Sequence, residues 1–144
     1  KQFRAYDMNE VARYYTASED VAEFLAHYPE RHDFREEAGG NRVFINVWCW
    51  EPAWKIRVTE NGRELPVRRE QTEDPLYVIS YDIPQSVWKG KYPVDYGKRG
   101  KQHTLFTVDA SGPATTLEIE VTDSFGKVYR ETMVRPKAFG PQMK

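Results

Sequence analysis

The hydrophobic pattern of the chain changes from helical to extended near residue 41. Before that point, apolar residues recur at helical spacing after Asp7 and again after Ser18, and both are residue types that cap helix N-termini. These apolar positions are Val11, Tyr14, Tyr15, Val21, Leu25 and Tyr28. Residues 30–41 are rich in charge and contain two consecutive glycines, which is typical of a solvated connector.

From residue 42 onward, β-branched and aromatic residues dominate and turn signals recur at short intervals. Residues 42–50 are apolar on both alternating sets of positions, which predicts a central strand covered on both faces and a buried, inert thiol at Cys49. Asn61-Gly62 predicts one tight hairpin, and residues 123–129 predict another. The predicted strands are residues 42–50, 54–59, 63–69, 76–83, 103–108, 116–121 and 128–134.

Six or seven short strands without long helices between them predict a mainly β fold. We expect an antiparallel β-sandwich of immunoglobulin-like or fibronectin-like type with a short N-terminal helical segment. A chain of 144 residues with 40% hydrophobic content fits a single core, so we predict one structural domain. Its predicted parts are a helical lead-in and connector at residues 1–41, a β-sandwich at 42–137 and a tail at 138–144.

Charge and cysteine content exclude several classes of partner. The 21 basic and 22 acidic residues leave a net charge of −1, which argues against nucleic acid and anionic membranes as partners. The sequence has no apolar run of about 18 residues, so we expect no membrane span. A single cysteine excludes an internal disulfide and a cysteine-rich zinc site.

Residues 84–102 form the longest stretch without a regular pattern, and they combine aromatic with basic side chains. Long irregular segments in compact domains are often functional, and this composition suits phosphate, nucleic acid or an acidic protein surface. The net charge counts against nucleic acid, which leaves a docking segment and a solvated loop as open alternatives. The candidate contacts are Trp88, Lys89, Lys91, Tyr92, Tyr96, Lys98, Arg99 and Lys101.

Four tryptophans suggest a carbohydrate platform, because large aromatic rings are enriched at binding surfaces as well as in cores. Trp48 and Trp50 share one side of the central strand and Trp54 begins the next strand, so we expect at least two of the four in the core. Trp50 and Trp54 are weaker candidates for ligand contact. His103 is a third weak candidate, but no strained nucleophile turn accompanies it. His27 and His32 lie near charged residues without a further ligand in sequence, so we favour a surface role for them over a metal cluster.

Several short, separated motifs are spread over residues 6–137. In chain order they are Tyr6-Asp7-Met8-Asn9, Ile45-Asn46-Val47-Trp48-Cys49-Trp50-Glu51-Pro52-Ala53-Trp54-Lys55-Ile56, Asp74-Pro75-Leu76, His103-Thr104-Leu105-Phe106, residues 121–129 and Arg135-Pro136-Lys137. Together they resemble one bacterial module, the C-terminal domain of calcineurin-like metallophosphoesterases. Ser124 departs from the basic residue expected in that family.

The resemblance implies a β-sandwich appended to a metal-dependent phosphatase that is exported to the cell envelope, periplasmic or secreted. It places the catalytic residues and two divalent metal ions in an upstream domain of the same chain. The Asp-x-His, Gly-Asp-x-x-Asp and Gly-Asn-His-Glu motifs, whose side chains bind such metals, do not occur in the sequence. We therefore expect a non-catalytic domain without cofactor that packs on the catalytic domain through residues 88–101 and shapes substrate access. The alternative is an independent carbohydrate-binding module at the cell surface.

Overall fold

A computed structural model describes residues 2–93, 95–96 and 103–143. The strands are β1 (Phe3–Asp7), β2 (Arg42–Val47), β3 (Lys55–Glu60), β4 (Arg63–Leu65), β5 (Arg68–Thr72), β6 (His103–Asp109), β7 (Leu117–Thr122) and β8 (Val128–Met133). The helices are α1 (Met8–Ala17), α2 (Glu19–His27), a 3₁₀ helix (Phe34–Glu37), α3 (Pro75–Tyr77), a π-helix (Val78–Asp82), α4 (Ile83–Trp88) and a 3₁₀ helix (Pro141–Met143).

The strands form two antiparallel four-stranded sheets. The first sheet has the order β1-β2-β6-β5, and the second has the order β4-β3-β7-β8. The mainly β class is confirmed, and the two sheets are consistent with a β-sandwich. The immunoglobulin-like type and the domain boundaries stay predictions.

One apolar core joins the two sheets. Alternate residues of β2, among them Val43 and Ile45, pack in the same cluster as Ile119 and Val121 of β7, and all four are fully buried. Burial of side chains of this size contributes about 1.5–3 kcal/mol each. This cluster therefore holds the first sheet against the second.

A second apolar core covers the outer face of the first sheet with helices. Tyr6, Phe44 and Leu105 alternate along their strands with residues of the first core, and they belong to this second cluster together with the buried faces of α1 and α2. The β2 strand is therefore covered on both faces because it lies between two cores, as predicted. In contrast, β7 buries Leu117, Ile119 and Val121 but turns Glu118 and Glu120 outward, so the predicted wet face is confirmed.

The predicted helix starts are confirmed by side-chain caps. Asp7 accepts a hydrogen bond from the backbone of Asn9 at 3.2 Å, and Ser18 accepts one from Val21 at 3.2 Å. Asp7 also binds Arg135 at 3.3 Å, and both side chains are fully buried. This ion pair fixes the segment after β8 against the start of α1.

The predicted strand at residues 76–83 is wrong, because this segment is helical. Asp74 accepts hydrogen bonds from the backbone of Leu76 at 2.8 Å and Tyr77 at 3.3 Å, and Pro75 occupies the first helical turn. An acid before a proline is a helix-start signal, and it outweighed the strand propensity of the aromatic and β-branched residues that follow.

Other strands also differ from the prediction. The central strand ends at Val47 rather than at residue 50. The predicted strand at residues 63–69 is divided into β4 and β5, and Pro66, which has no backbone donor, lies between them. The β1 strand was not predicted at all, although it pairs with β2 over its whole length.

Among the described residues, no helix is long and apolar enough to cross a bilayer.

Candidate functional site

The predicted aromatic and basic segment begins at the exposed end of α4. Trp88 is 79% exposed, and the neighbouring side chains Val87 and Lys89 are also exposed. On the preceding turns, Tyr77 and Tyr81 stack with ring centroids 5.1 Å apart, and both are exposed. We call the set Tyr77, Tyr81, Val87 and Trp88 the helical surface.

An apolar hollow of about 350 Å³ lies beside the helical surface. Large exposed apolar patches on soluble domains mark interaction sites, and tryptophan is enriched among the residues that dominate binding energy. The π-helix between α3 and α4 is a rare conformation that occurs often at functional sites. The hollow is lined by Tyr14, Ser18, Asp20, Val21, Ile79, Ile83, Pro84 and Val87.

Lys91 and Tyr92 hold the segment after α4 against α2. The Lys91 ammonium lies 2.9 Å from the Glu23 carboxylate, and the Tyr92 ring stacks on His27 at 3.9 Å. The hydrogen bond from Lys91 is the main cause of the lowered pKa of Glu23. Burial and the Glu23 carboxylate raise the pKa of Tyr92 to about 12, so the phenol remains protonated at neutral pH.

The other predicted contacts are not part of the helical surface. The Tyr96 side chain is fully buried in the helical core, and its backbone carbonyl accepts a hydrogen bond from Arg31 at 2.8 Å. Lys98, Arg99 and Lys101 lie outside the described residues. His103 is the first residue of β6, and its side chain also lies outside the description.

A buried ion network, not predicted from the sequence, fixes the connector after α2. Arg31 is 4% exposed, and its guanidinium binds both Glu73 and Asp82, the latter at 2.6 Å. Burial opposes the charge of Arg31, but the two carboxylates outweigh it and raise the pKa of Arg31. Residues 30–41 are therefore only in part the solvated connector that was expected, because Phe34 and Glu37 are buried as well. An arginine in a charged run gives no sequence signal of burial.

A polar cavity of about 520 Å³ opens beside this network. His32 lines it, and its Nδ1 atom lies 2.7 Å from the Thr72 hydroxyl while its ring stacks on Phe34. Over residues 2–93, 95–96 and 103–143, no group of three or more His, Cys, Asp or Glu side chains is placed to hold a metal ion.

The loop between β2 and β3 carries the weaker candidates Trp50 and Trp54. Trp50 is half-buried, with its ring 5.3 Å from that of Phe106 and the Arg69 guanidinium over its face. Trp54 donates a hydrogen bond from Nε1 to Glu51 at 3.1 Å. Cys49 is exposed, contrary to the prediction, because the strand ends before it and the backbone turns there with a φ of 56°.

The turn between β7 and β8 presents an aromatic side chain that is not among the predicted site residues. Phe125 is 94% exposed, and Ser124 beside it donates a hydrogen bond to Glu51 at 3.1 Å. Glu51 thereby joins this turn to the loop that carries Trp54. We call the set Cys49, Trp54 and Phe125, which lie on this loop and this turn, the loop surface.

Comparison with known proteins identifies the family of the chain. No curated protein and no solved structure gives a significant match to the chain. A family model described as the C terminal of calcineurin-like phosphoesterase matches residues 2–129, which is most of the chain and includes both surfaces. The chain therefore belongs to the family of C-terminal domains of calcineurin-like phosphoesterases.

Proposed function

We propose that this chain is a non-catalytic accessory domain that packs on the catalytic domain of the same polypeptide and shapes access to its active site. The family is the C-terminal part of calcineurin-like phosphoesterases, so a catalytic domain precedes it in such polypeptides. The catalytic domain of this enzyme class is metal-dependent, and it would hold the two divalent ions. By the same resemblance, we propose that the polypeptide acts in the cell envelope.

The observation that carries this proposal is the exposure of the helical surface. A tryptophan that is 79% exposed at the end of a helix buries most of its area only when a partner covers it. Such side chains carry a large share of the binding energy in protein interfaces. The apolar hollow bordered by Val87 and Ile83 offers a matching recess for a side chain of the partner.

The segment after α4 contributes rigidity and charge to the same surface. Lys91 and Tyr92 contact Glu23 and His27 of α2, which restricts the backbone that leads away from Trp88. Preorganisation of this kind lowers the entropic cost of docking. Lys89 is exposed beside Trp88 and favours an acidic rim on the catalytic domain.

The first experiment measures phosphatase turnover of the 144-residue chain with added manganese or zinc. We expect no turnover above buffer, and metal-dependent hydrolysis would contradict the accessory role. In the full polypeptide, Trp88→Ser should raise KM severalfold because docking is weakened next to the active site. Val134→Ser is the matched control, since Val134 is 66% exposed and lies outside the helical surface.

The stacked pair Tyr77 and Tyr81 favours a second candidate function, the binding of carbohydrate. Because the two rings stack on each other with an interplanar angle of 26°, an outer ring face of this exposed pair can contact the apolar face of one sugar ring. Affinity electrophoresis of the chain in polysaccharide gels separates the two functions. A docking domain should migrate without retardation, whereas retardation that Tyr81→Ser abolishes would support the carbohydrate module.

A further inference from the structure

The turn between β7 and β8 presents the largest exposure of any big apolar side chain in the described part of the molecule. Phe125 is 94% exposed at the tip of this turn. A single exposed apolar residue is ordinary on a protein surface, so exposure alone decides nothing. The rigidity of the turn and its position in the fold are what give the side chain significance.

The turn is held by a dense set of hydrogen bonds around Asp123. The Asp123 carboxylate accepts from the backbone N–H of Phe125 at 2.9 Å and of Lys127 at 3.0 Å. Its carbonyl accepts from Gly126 at 3.1 Å, and its own N–H donates to Lys127 at 3.0 Å. Gly126 has a φ of +83°, which only glycine adopts without strain. The Phe125 ring is therefore displayed on a preorganised backbone, which reduces the cost of binding.

The turn and the loop between β2 and β3 are joined through Glu51. Its carboxylate accepts from both Ser124 and Trp54, each at 3.1 Å. Lys55 lies opposite Thr122 in the sheet, next to this junction, and both Lys55 and Lys127 are exposed. The loop surface thus has an aromatic centre and a basic edge.

The first strand begins at this same end of the molecule. The Gln2 carbonyl accepts from the Trp48 N–H at 3.1 Å, and the Gln2 side chain donates to the Trp48 carbonyl at 2.7 Å. Phe3 is then paired with Val47. A domain that precedes residue 2 in the polypeptide is therefore connected beside the loop surface, and a short connection gives it a high effective concentration there.

We propose that the loop surface is the docking site for the preceding catalytic domain. Phe125 would insert into an apolar pocket of that domain, and the rim of the pocket would be acidic. This inference rests on the proposed function and adds a second contact to the helical surface. The loop surface supplies the contact nearest to the covalent connection, while the helical surface acts on substrate access. Phe125 then fits the pattern of a central aromatic anchor in an interface.

Cys49 provides a probe for this contact, because its side chain is exposed on the loop surface. The experiment compares the alkylation rate of Cys49, measured by peptide mass spectrometry, in the 144-residue chain and in the full polypeptide. We expect alkylation at least tenfold slower in the full polypeptide, and Phe125→Ser should restore most of the rate of the chain alone. Val134→Ser is the matched control, since Val134 is exposed just beyond the opposite end of β8 and should leave the protection intact.

Equal Cys49 alkylation rates in the two proteins would overturn this inference, and so would protection that survives Phe125→Ser. The Trp88→Ser variant separates this failure from failure of the proposed function. If Cys49 is unprotected while Trp88→Ser still raises KM, the accessory role holds and the loop surface is not the contact. If neither variant has an effect, both proposals fail.

Discussion

The two sheets bury their outward residues to very different extents. Under the helical layer of the first sheet, the Asp74 carboxylate accepts hydrogen bonds from Tyr6 at 2.8 Å and Asn46 at 2.5 Å, and all three residues are buried. On the open face of the second sheet, the half-buried Glu120 binds Arg130 at 2.8 Å, and the arginine side chain is exposed to solvent. Loss of a polar partner should therefore lower the free energy of unfolding much more in the first sheet than in the second.

The largest expected effect is the loss of Arg31. Arg31→Met should lower the free energy of unfolding by about 3–5 kcal/mol, because Glu73 and Asp82 would remain buried without their cation. Urea denaturation followed by tryptophan fluorescence measures this change. The combined variant Arg31→Met, Glu73→Leu, Asp82→Leu is the control, since it leaves no unpaired charge. A single variant as stable as the unmodified chain would show that the network is not closed to water.

A smaller loss is expected from Tyr6→Phe, which removes the hydrogen bond to Asp74. The cost should be about 1–3 kcal/mol, because the acceptor is a buried carboxylate. Burial and Asp74 raise the pKa of Tyr6, so the phenol remains a donor across neutral pH. Tyr129→Phe is the matched control on the second sheet, where the hydroxyl is 3.3 Å from the Asp123 carboxylate. Equal losses in the two variants would contradict the comparison.

The second sheet has one buried acid, Glu60, which predicts a pH effect on the order of 1 kcal/mol. Burial opposes ionisation, but hydrogen bonds from Thr115 at 2.6 Å and Ser111 at 3.1 Å outweigh it and lower the pKa of Glu60. Its stabilisation is therefore present above the ordinary glutamate pKa of about 4.3 and lost as the pH falls through the lowered value. Glu60→Gln should remove this part of the acid destabilisation in urea titrations at several pH values. An unchanged pH profile would contradict the assignment.

The smallest effect is expected for the exposed pair of Glu120 and Arg130. A double-mutant cycle with alanine at both positions should give a coupling of about 0.2–1 kcal/mol. Addition of about 1 M salt should reduce that coupling further, because exposed charges are screened. A coupling above about 2 kcal/mol would show that the outer face of the second sheet is covered by something other than water.

The parts of the fold that were predicted are those with local signals. The period-2 alternation of Leu117, Ile119 and Val121 identified β7, and the type I′ hairpin signal is confirmed by positive φ at Asn61 and Gly62. Caps at Asp7 and Ser18 gave the two N-terminal helices. Each of these features depends on residues within a few positions of one another, which is why one sequence was enough.

The missed features depend on contacts between distant residues. The β1 strand is five residues long and owes its stability to pairing with β2, about 40 residues further along the chain. Burial of Arg31 depends on Glu73 and Asp82, which approach it only in the folded chain. For the candidate site, the composition of residues 84–102 was enough to predict Trp88. Phe125 became a candidate only because the structure shows that it is exposed on a hydrogen-bonded turn.

Hydrogen–deuterium exchange tests the central claim, that this domain packs on the catalytic domain, most directly. The measurement compares the 144-residue chain with the same residues in the full polypeptide. We predict slower exchange in the full polypeptide for peptides that cover residues 48–54 and 77–89, with unchanged exchange on the open face of the second sheet. Identical exchange in all of these peptides would contradict the account, because it would mean that the two domains do not pack on each other.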